Sequence, residues 1–201
     1  MSNFAIVLAA GASSRMGRCK ASLPWLEGKT LLAYQVEQWL LAGFSPVVVL
    51  GAHNCDRWQD CPSGSWVAIN PNPSMGKTSS ILIGLQHVPQ NWEVLAISAV
   101  DQPRSAKIYQ KLLQEHICHS AAITVPTYRG KVGHPPLFSA KMRPFLANLQ
   151  EETLGLRQLM KCYPAIQKVE FDTPDVLIDL NTPETYHLQL LSEKKVAAQL
   201  S

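Results

Sequence analysis

Three groups of residues in this chain have the types and spacing for ionic chemistry. The first is Gly11-Ala12-Ser13-Ser14-Arg15-Met16-Gly17-Arg18-Cys19-Lys20, a small-residue loop in which Arg15, Arg18 and Lys20 bring three cations into six residues. Gly11 and Gly17 permit torsions and close approaches that a Cβ would block, so successive main-chain N–H groups can turn toward an anion. Ser13 and Ser14 add hydroxyls, and the cations would hold a polyphosphate that the N–H groups alone bind weakly. The second group is Asp101 in Asp101-Gln102-Pro103, which reads either as a metal ligand or as the cap of a following helix. The third is Asp179-Leu180-Asn181-Thr182-Pro183, where Asp179 and Asn181 share one side if the backbone is extended. It reads equally as a helix-capping loop.

These groups need a scaffold, and the apolar pattern supplies one. Phe4-Ala5-Ile6-Val7-Leu8 is a continuous apolar run, as expected of a buried parallel strand, so the glycine loop leaves its carboxyl end, where open α/β sheets bind ligands. Residues 31–41 have helical spacing and stop at Gly43. Strands are expected at 46–51, 66–70 and 94–100, with a helix near 79–87; the strand at 94–100 delivers Asp101 to the same sheet edge as the loop. A helix over 105–117 and a strand over 121–126 complete another unit. Beyond these, Leu137-Phe138, Val169-Glu170-Phe171 and Val176-Leu177-Ile178 look like strands, residues 141–148 and 153–162 look helical, and Thr182-Pro183-Glu184 starts a helix that frays into the tail near Lys194 and Lys195. The alternation predicts an α/β fold of three layers, α/β/α, with a mainly parallel sheet and right-handed crossovers.

The whole chain bounds the answer further. Its 201 residues suit a single domain, 1–201, and 46% hydrophobic with 16% charged residues is ordinary for a globular protein. No stretch reaches the roughly 20 apolar residues of a membrane helix. The N-terminus lacks the basic region and separate apolar core of a signal peptide, which makes the cytoplasm the expected compartment. A net charge of +3 without a basic helix argues against nucleic acid as a partner and for a small polyanion at the loop.

Other chemistries find little support. Gly76-Lys77-Thr78 resembles the end of a P-loop, but that motif requires glycine where Pro71 stands. The dinucleotide pattern G-x-G-x-x-G fails at Ser13 and Met16. Cysteines at 19, 55, 61, 118 and 162 form no C-x-x-C pair and are expected to be free thiols; His53, Cys55 and Cys61 lack a fourth ligand for zinc.

Residues 8–20 fit L-A-A-G-x-S-x-R-M-G-x-x-K at every fixed position. This is the signature of nucleotidyltransferases with a Rossmann-like, nucleotide-diphospho-sugar transferase type of fold. Within them the chain resembles the small bacterial MobA-like group that contains the molybdenum-cofactor cytidylyltransferases and guanylyltransferases. The resemblance implies transfer of a nucleoside monophosphate from an NTP to a small phosphorylated acceptor, with release of pyrophosphate and with Mg2+ as cofactor. It assigns nucleotide binding to Leu8, Ala9, Ala10, Gly11, Ser13, Ser14, Arg15 and Lys20, and catalytic roles to Arg15, Lys20 and Asp101. Asn70, Gly76 and Ser80 match the family's N-P-x-x-x-x-G-x-x-x-S segment, which lines the base. Asp101, Asp179 and Asn181 match its metal motifs, and magnesium needs only one or two carboxylates besides phosphate oxygens and waters. Gly133-His134-Pro135 matches an element on the acceptor side of the cleft. Ala10, in place of a second glycine, and the G-H-P element favour CTP and molybdopterin. GTP with molybdopterin, another phospho-acceptor such as a sugar phosphate, and a non-catalytic cofactor chaperone are the alternatives, and transient contact with a molybdoenzyme would follow from the molybdopterin reading.

Overall fold

The computed structural model describes residues 2–153 and 155–200. Strands β1 (Asn3–Leu8), β2 (Ser45–Gly51), β3 (Trp66–Asn70) and β4 (Val94–Ala99) lie parallel in the order β3-β2-β1-β4. β1, β2 and β4 are buried on both faces, which is why they read as unbroken apolar runs rather than as alternating ones. The sheet continues through β5 (Ile123–Tyr128), β6 (Lys131–Val132) and β7 (Leu137–Ser139) in the order β4-β7-β5-β6, with β8 (Ile166–Glu170) pairing parallel to β5. β7 runs antiparallel to both β4 and β5, so the sheet is mixed but mostly parallel.

Helices cover both faces. Inside-facing Ala5, Val7, Val48 and Leu50 pack with Leu32, Val36 and Trp39 of α1 (Leu31–Leu41), Ile108, Tyr109 and Leu112 of α3 (Ala106–Cys118), and Tyr186 of α6 (Pro183–Leu200). Their alternates Ile6, Leu8, Val47 and Val49 pack on the other side with Ile81 of α2 (Lys77–His87), Leu146 of α4 (Arg143–Ala147) and Leu156 of α5 (Gly155–Cys162). Two apolar layers separated by one sheet give the expected three-layer architecture. Trp39 and Tyr109 stack with ring centroids 3.5 Å apart and lock α1 to α3.

Several boundaries differ from expectation for identifiable reasons. Val176-Leu177-Ile178 does not form a strand: Thr173 accepts from the Asp175 N–H, Pro174 fixes the first turn, and Pro174–Leu177 winds as a 3-10 helix. β8 lies earlier than expected because its register against β5 runs from Ile166 to Glu170. The short strand β6 and the 3-10 turns over Ala52–Asp60 have polar, aperiodic sequences and gave no signal. Helix α2 begins at Lys77, α6 continues to Leu200, and residue 154 of the expected 153–162 helix lies outside the described residues. All five cysteines are free, and no described helix is long and apolar enough to cross a membrane.

Candidate active site

β1 has β2 on one side and β4 on the other, so the connections that follow β1 and β4 leave the carboxyl edge at a point where the strand order reverses. Such a switch point opens a crevice between the outgoing loops. The two strand ends are fastened together, Val100 N–H donating to Leu8 O at 2.9 Å, and this brings the glycine loop beside Asp101.

The loop is held in shape by its own side chains. Ser13 sits in the left-handed region with φ 52°, and its hydroxyl accepts from Lys20 N–H at 3.2 Å and donates to Gly11 O at 3.4 Å. From outside, the buried Asn54 donates to Ala9 O at 2.9 Å and to Cys19 Sγ at 3.4 Å while accepting from Gly51 N–H. Asn54 thereby clamps both ends of the loop to the end of β2. It lies in the Ala52–Asp60 turns, and no pattern in the sequence marked it.

The loop closes on Asp101 and the late acidic motif. Lys20 Nζ lies 2.6 Å from Asp101 Oδ2 and 3.0 Å from Asn181 Oδ1. Asp101 and Asn181, 80 positions apart in sequence, therefore share one ammonium. Asp179 lines the same cleft, and crowding by the surrounding protein, then the Asp101 charge, holds its carboxyl above the ordinary carboxylate value. A carboxyl whose ionisation is opposed by a second carboxylate nearby, with an amide oxygen alongside, offers oxygens of the kind that a hard divalent cation could take. Among the described residues no group of three or more His, Cys, Asp or Glu gathers as a metal site; Asp101 and Asp179 are two carboxylates, with which a magnesium ion could be held only if phosphate oxygens or waters completed its shell.

These residues line a cleft of about 480 Å³. Leu8, Ala9, Ala10, Gly11, Ser13, Ser14, Arg15, Lys20, Gly76, Ser80, Asp101, Asp179 and Asn181 all face it, as does Lys77. Asn70 does not. Its amide is buried and donates to the Ser79 and Ser80 hydroxyls, both at 2.9 Å, while its oxygen accepts from Asn72 N–H, so it orients Ser80 from behind instead of lining the base position.

A second cavity of about 510 Å³ adjoins the first, sharing Lys77, Gln102 and Asp179 with it. Its walls combine the apolar Ile81, Val125, Val132, Leu156 and Met160 with Arg157 and Glu151, a cation and a carboxylate. Gly133 and His134 line it; Pro135 is buried behind the wall, and Pro136 takes the place expected for it. A Cβ on Gly133 would stand 2.2 Å from Val176 O, so only glycine fits there. The His134 ring is open to the cavity, yet the surrounding protein, then the Lys77 and Arg104 charges, push its pKa down to about 4, so it is neutral at pH 7. Lys77 was legible only as the remnant of a failed P-loop. The structure shows what that glycine-lysine pair does: Gly76, at φ 92°, starts α2 and sets Lys77 on the boundary between both cavities.

Residues 5–169 match the model of the MobA-like NTP transferase domain. The chain belongs to that family. It is a nucleotidyltransferase by this membership. A probable molybdenum cofactor guanylyltransferase from Bacillus cereus (strain G9842) is 29% identical over 190 residues, and a molybdenum cofactor cytidylyltransferase from Escherichia coli (strain K12) is 27% identical over 190 residues, each match covering 90% of this chain and 92% of the relative. The nicotine blue oxidoreductase of Paenarthrobacter nicotinovorans is 33% identical over 170 residues, covering 79% of this chain and 81% of its own. The crystal structure of Rv0371c from Mycobacterium tuberculosis H37Rv shares the fold with a TM-score of 0.81 and 23% identity, covering 94% of this chain and 97% of that one.

Proposed function

We propose that this protein transfers a nucleoside monophosphate from CTP to the phosphate of molybdopterin, with Mg2+ as cofactor and pyrophosphate as the second product. The observation that carries the reading is the pair of adjoining cavities. The first has a glycine loop, Arg15, Lys20 and the carboxylates Asp101 and Asp179; the second sets an apolar wall beside Arg157 and Glu151; Lys77, Gln102 and Asp179 line both.

In this reading the NTP phosphates lie along the loop, met by its main-chain N–H groups and by Arg15 at the β- and γ-phosphates, and Ser80 faces the base. The acceptor's ring system fills the apolar cavity, and Lys77 draws its phosphate to the boundary. A phosphate monoester has its second pKa at about 6, so its oxygen attacks the α-phosphorus without a general base. That P–O bond forms while the bond to the bridging oxygen of pyrophosphate breaks. Lys20 offsets charge at the α-phosphate, and the protein's contribution is alignment and electrostatics. Neutral His134 forms part of the acceptor wall and carries no proton in the reaction. Asp101, Asp179 and Asn181 would hold magnesium, which would supply charge neutralisation on the phosphates.

Ala10 at the loop and the Gly133-His134 wall favour CTP by resemblance, and the guanylyltransferase relative makes GTP the second reading. Pyrophosphate release is the test, with each of the four NTPs, molybdopterin and Mg2+, and with Asp101→Asn as control. Release with CTP that is lost in the variant supports cytidylyl transfer. Release with GTP moves the assignment to the guanylyl form. No release with any NTP overturns the transferase reading for these substrates.

A further inference from the structure

Arg104 follows the Asp101-Gln102-Pro103 turn and is 2% exposed. A guanidinium buried to this degree is costly unless every donor is satisfied, and burial holds its pKa down to about 10. It donates to main-chain oxygens of three separate segments. Nη1 donates to its neighbour Pro103 at 2.7 Å, Nε to His134 at 3.3 Å, and Nη2 to Val176 at 2.9 Å and to Ile178 at 2.7 Å.

The placement of those oxygens matters. Ile178 immediately precedes Asp179, and Leu180, which immediately follows it, donates its N–H to Asp101 O at 2.8 Å. Asp179 is thus gripped on both flanks by the Asp101–Arg104 turn. Val176 O, already accepting from Arg104, also accepts from His134 N–H at 3.0 Å and is the atom against which Gly133 is packed. Through its fork of donors, Arg104 touches the late acidic motif and the wall of the second cavity at once. Lysine cannot reproduce this, since its single ammonium cannot reach several oxygens in a plane.

We propose that Arg104 is a positioning residue that fixes Asp179 relative to Asp101 and ties that pair to the Gly133-His134 wall, so that the cation site and the acceptor cavity take shape together. The names of the two sites rest on the function proposed above; the coupling between the segments rests on the hydrogen bonds alone.

The test uses Arg104→Lys and Arg104→Gln with two readouts. Groups that hold a metal-binding side chain in place change metal affinity by about 10- to 100-fold, so half-saturation by Mg2+ in CTP binding should rise about tenfold or more in Arg104→Lys, while binding of CTP without Mg2+ stays within about threefold of wild type. Independently of any ligand, amide exchange at Leu180 and at His134 should quicken together, with Val48 in β2, paired between β1 and β3, unchanged. Exchange that quickens equally at Val48, or that quickens at Leu180 while His134 stays as in wild type, overturns the proposal and leaves Arg104 a packing residue. Unmodified protein provides the reading that needs no variant: Mg2+ with CTP should slow exchange at both Leu180 and His134, and slowing at Leu180 alone overturns the coupling. Wild type whose nucleotide binding ignores Mg2+ refutes the cation reading of the function, and the ligand-free exchange pattern then decides the role of Arg104 by itself.

Discussion

Replacing Lys20 by methionine should damage stability and turnover together, whereas replacing Asp101 by asparagine should damage turnover with little loss of stability. Lys20 is the shared counter-charge of Asp101 and Asn181, and the side chains of the Lys20–Asp101 pair are 11% and 18% exposed. Removing one partner of a fully buried pair costs about 3–5 kcal/mol, and an exposed pair is worth about 0–1 kcal/mol. The exposures put this pair between those limits, at about 2 kcal/mol, which lowers the melting temperature of a chain this long by about 4–8 °C. In Lys20→Met, Asp101 also loses its ammonium while the like charge of Asp179 remains nearby. In Asp101→Asn, Lys20 keeps Asn181 as an acceptor and Asp179 is relieved of a like charge, so the loss should stay below about 1 kcal/mol. Both variants lose a group that offsets or organises charge at the phosphates, for which a decrease of about 10²–10³ in kcat is expected. Urea denaturation of the two single variants and the double variant, with pyrophosphate release on the same samples, measures each quantity and the coupling. A Lys20→Met protein that melts within about 1 °C of wild type and turns over within about threefold would refute the assignment of Lys20 to the centre of the site.

Four further outcomes follow. Gly133→Ala forces a Cβ against Val176 O and should cost about 1–3 kcal/mol in urea denaturation, with a raised KM for the acceptor. Asn70→Ala leaves the Ser79 and Ser80 hydroxyls without their donor and should cost about 1–3 kcal/mol, raising the KM for the nucleotide more than it lowers kcat. The buried His116, whose pKa burial lowers to about 4, binds its proton more readily in the unfolded chain; stability is therefore full above about pH 6.5 and falls as pH drops toward 4, by up to about 3 kcal/mol, and His116→Gln should flatten that slope in denaturation curves taken across this range. The acidic limb of kcat/KM should lie near pH 6, the acceptor phosphate's own ionisation, and should persist in His134→Gln, because His134 is already neutral there; disappearance of the limb in that variant would give the histidine a proton-carrying role.

The central part of the molecule is readable from sequence because burial on both faces forces long apolar runs, and β1, β2 and β4 announce themselves and so place the loop, Asp101 and the sheet edge. The late region is harder. β6 has two residues and the turn at Pro174–Leu177 carries an apolar triplet that looks like a strand, since local capping by Thr173 outweighs the pattern. Most of the site residues that motif reading brings forward face the cleft, and Gly133 and His134 face the adjoining cavity. Those it misses, Asn54, Lys77 and Arg104, act through long-range contacts: Asn54 spans 45 positions to Ala9, and Arg104 spans 74 to Ile178. Asn70 shows the converse, a motif residue whose polar atoms are all turned toward the scaffold rather than the cleft.

Nucleotidyl transfer itself is tested most directly by following the α-phosphate. CTP labelled with phosphorus-32 at the α-position, incubated with the protein, Mg2+ and molybdopterin, should pass its label to a product that carries both the cytidine and the acceptor, while the pyrophosphate released is unlabelled. Label that stays with CTP or its hydrolysis products under the same conditions, or transfer seen only when the label is at the γ-position, would contradict the account.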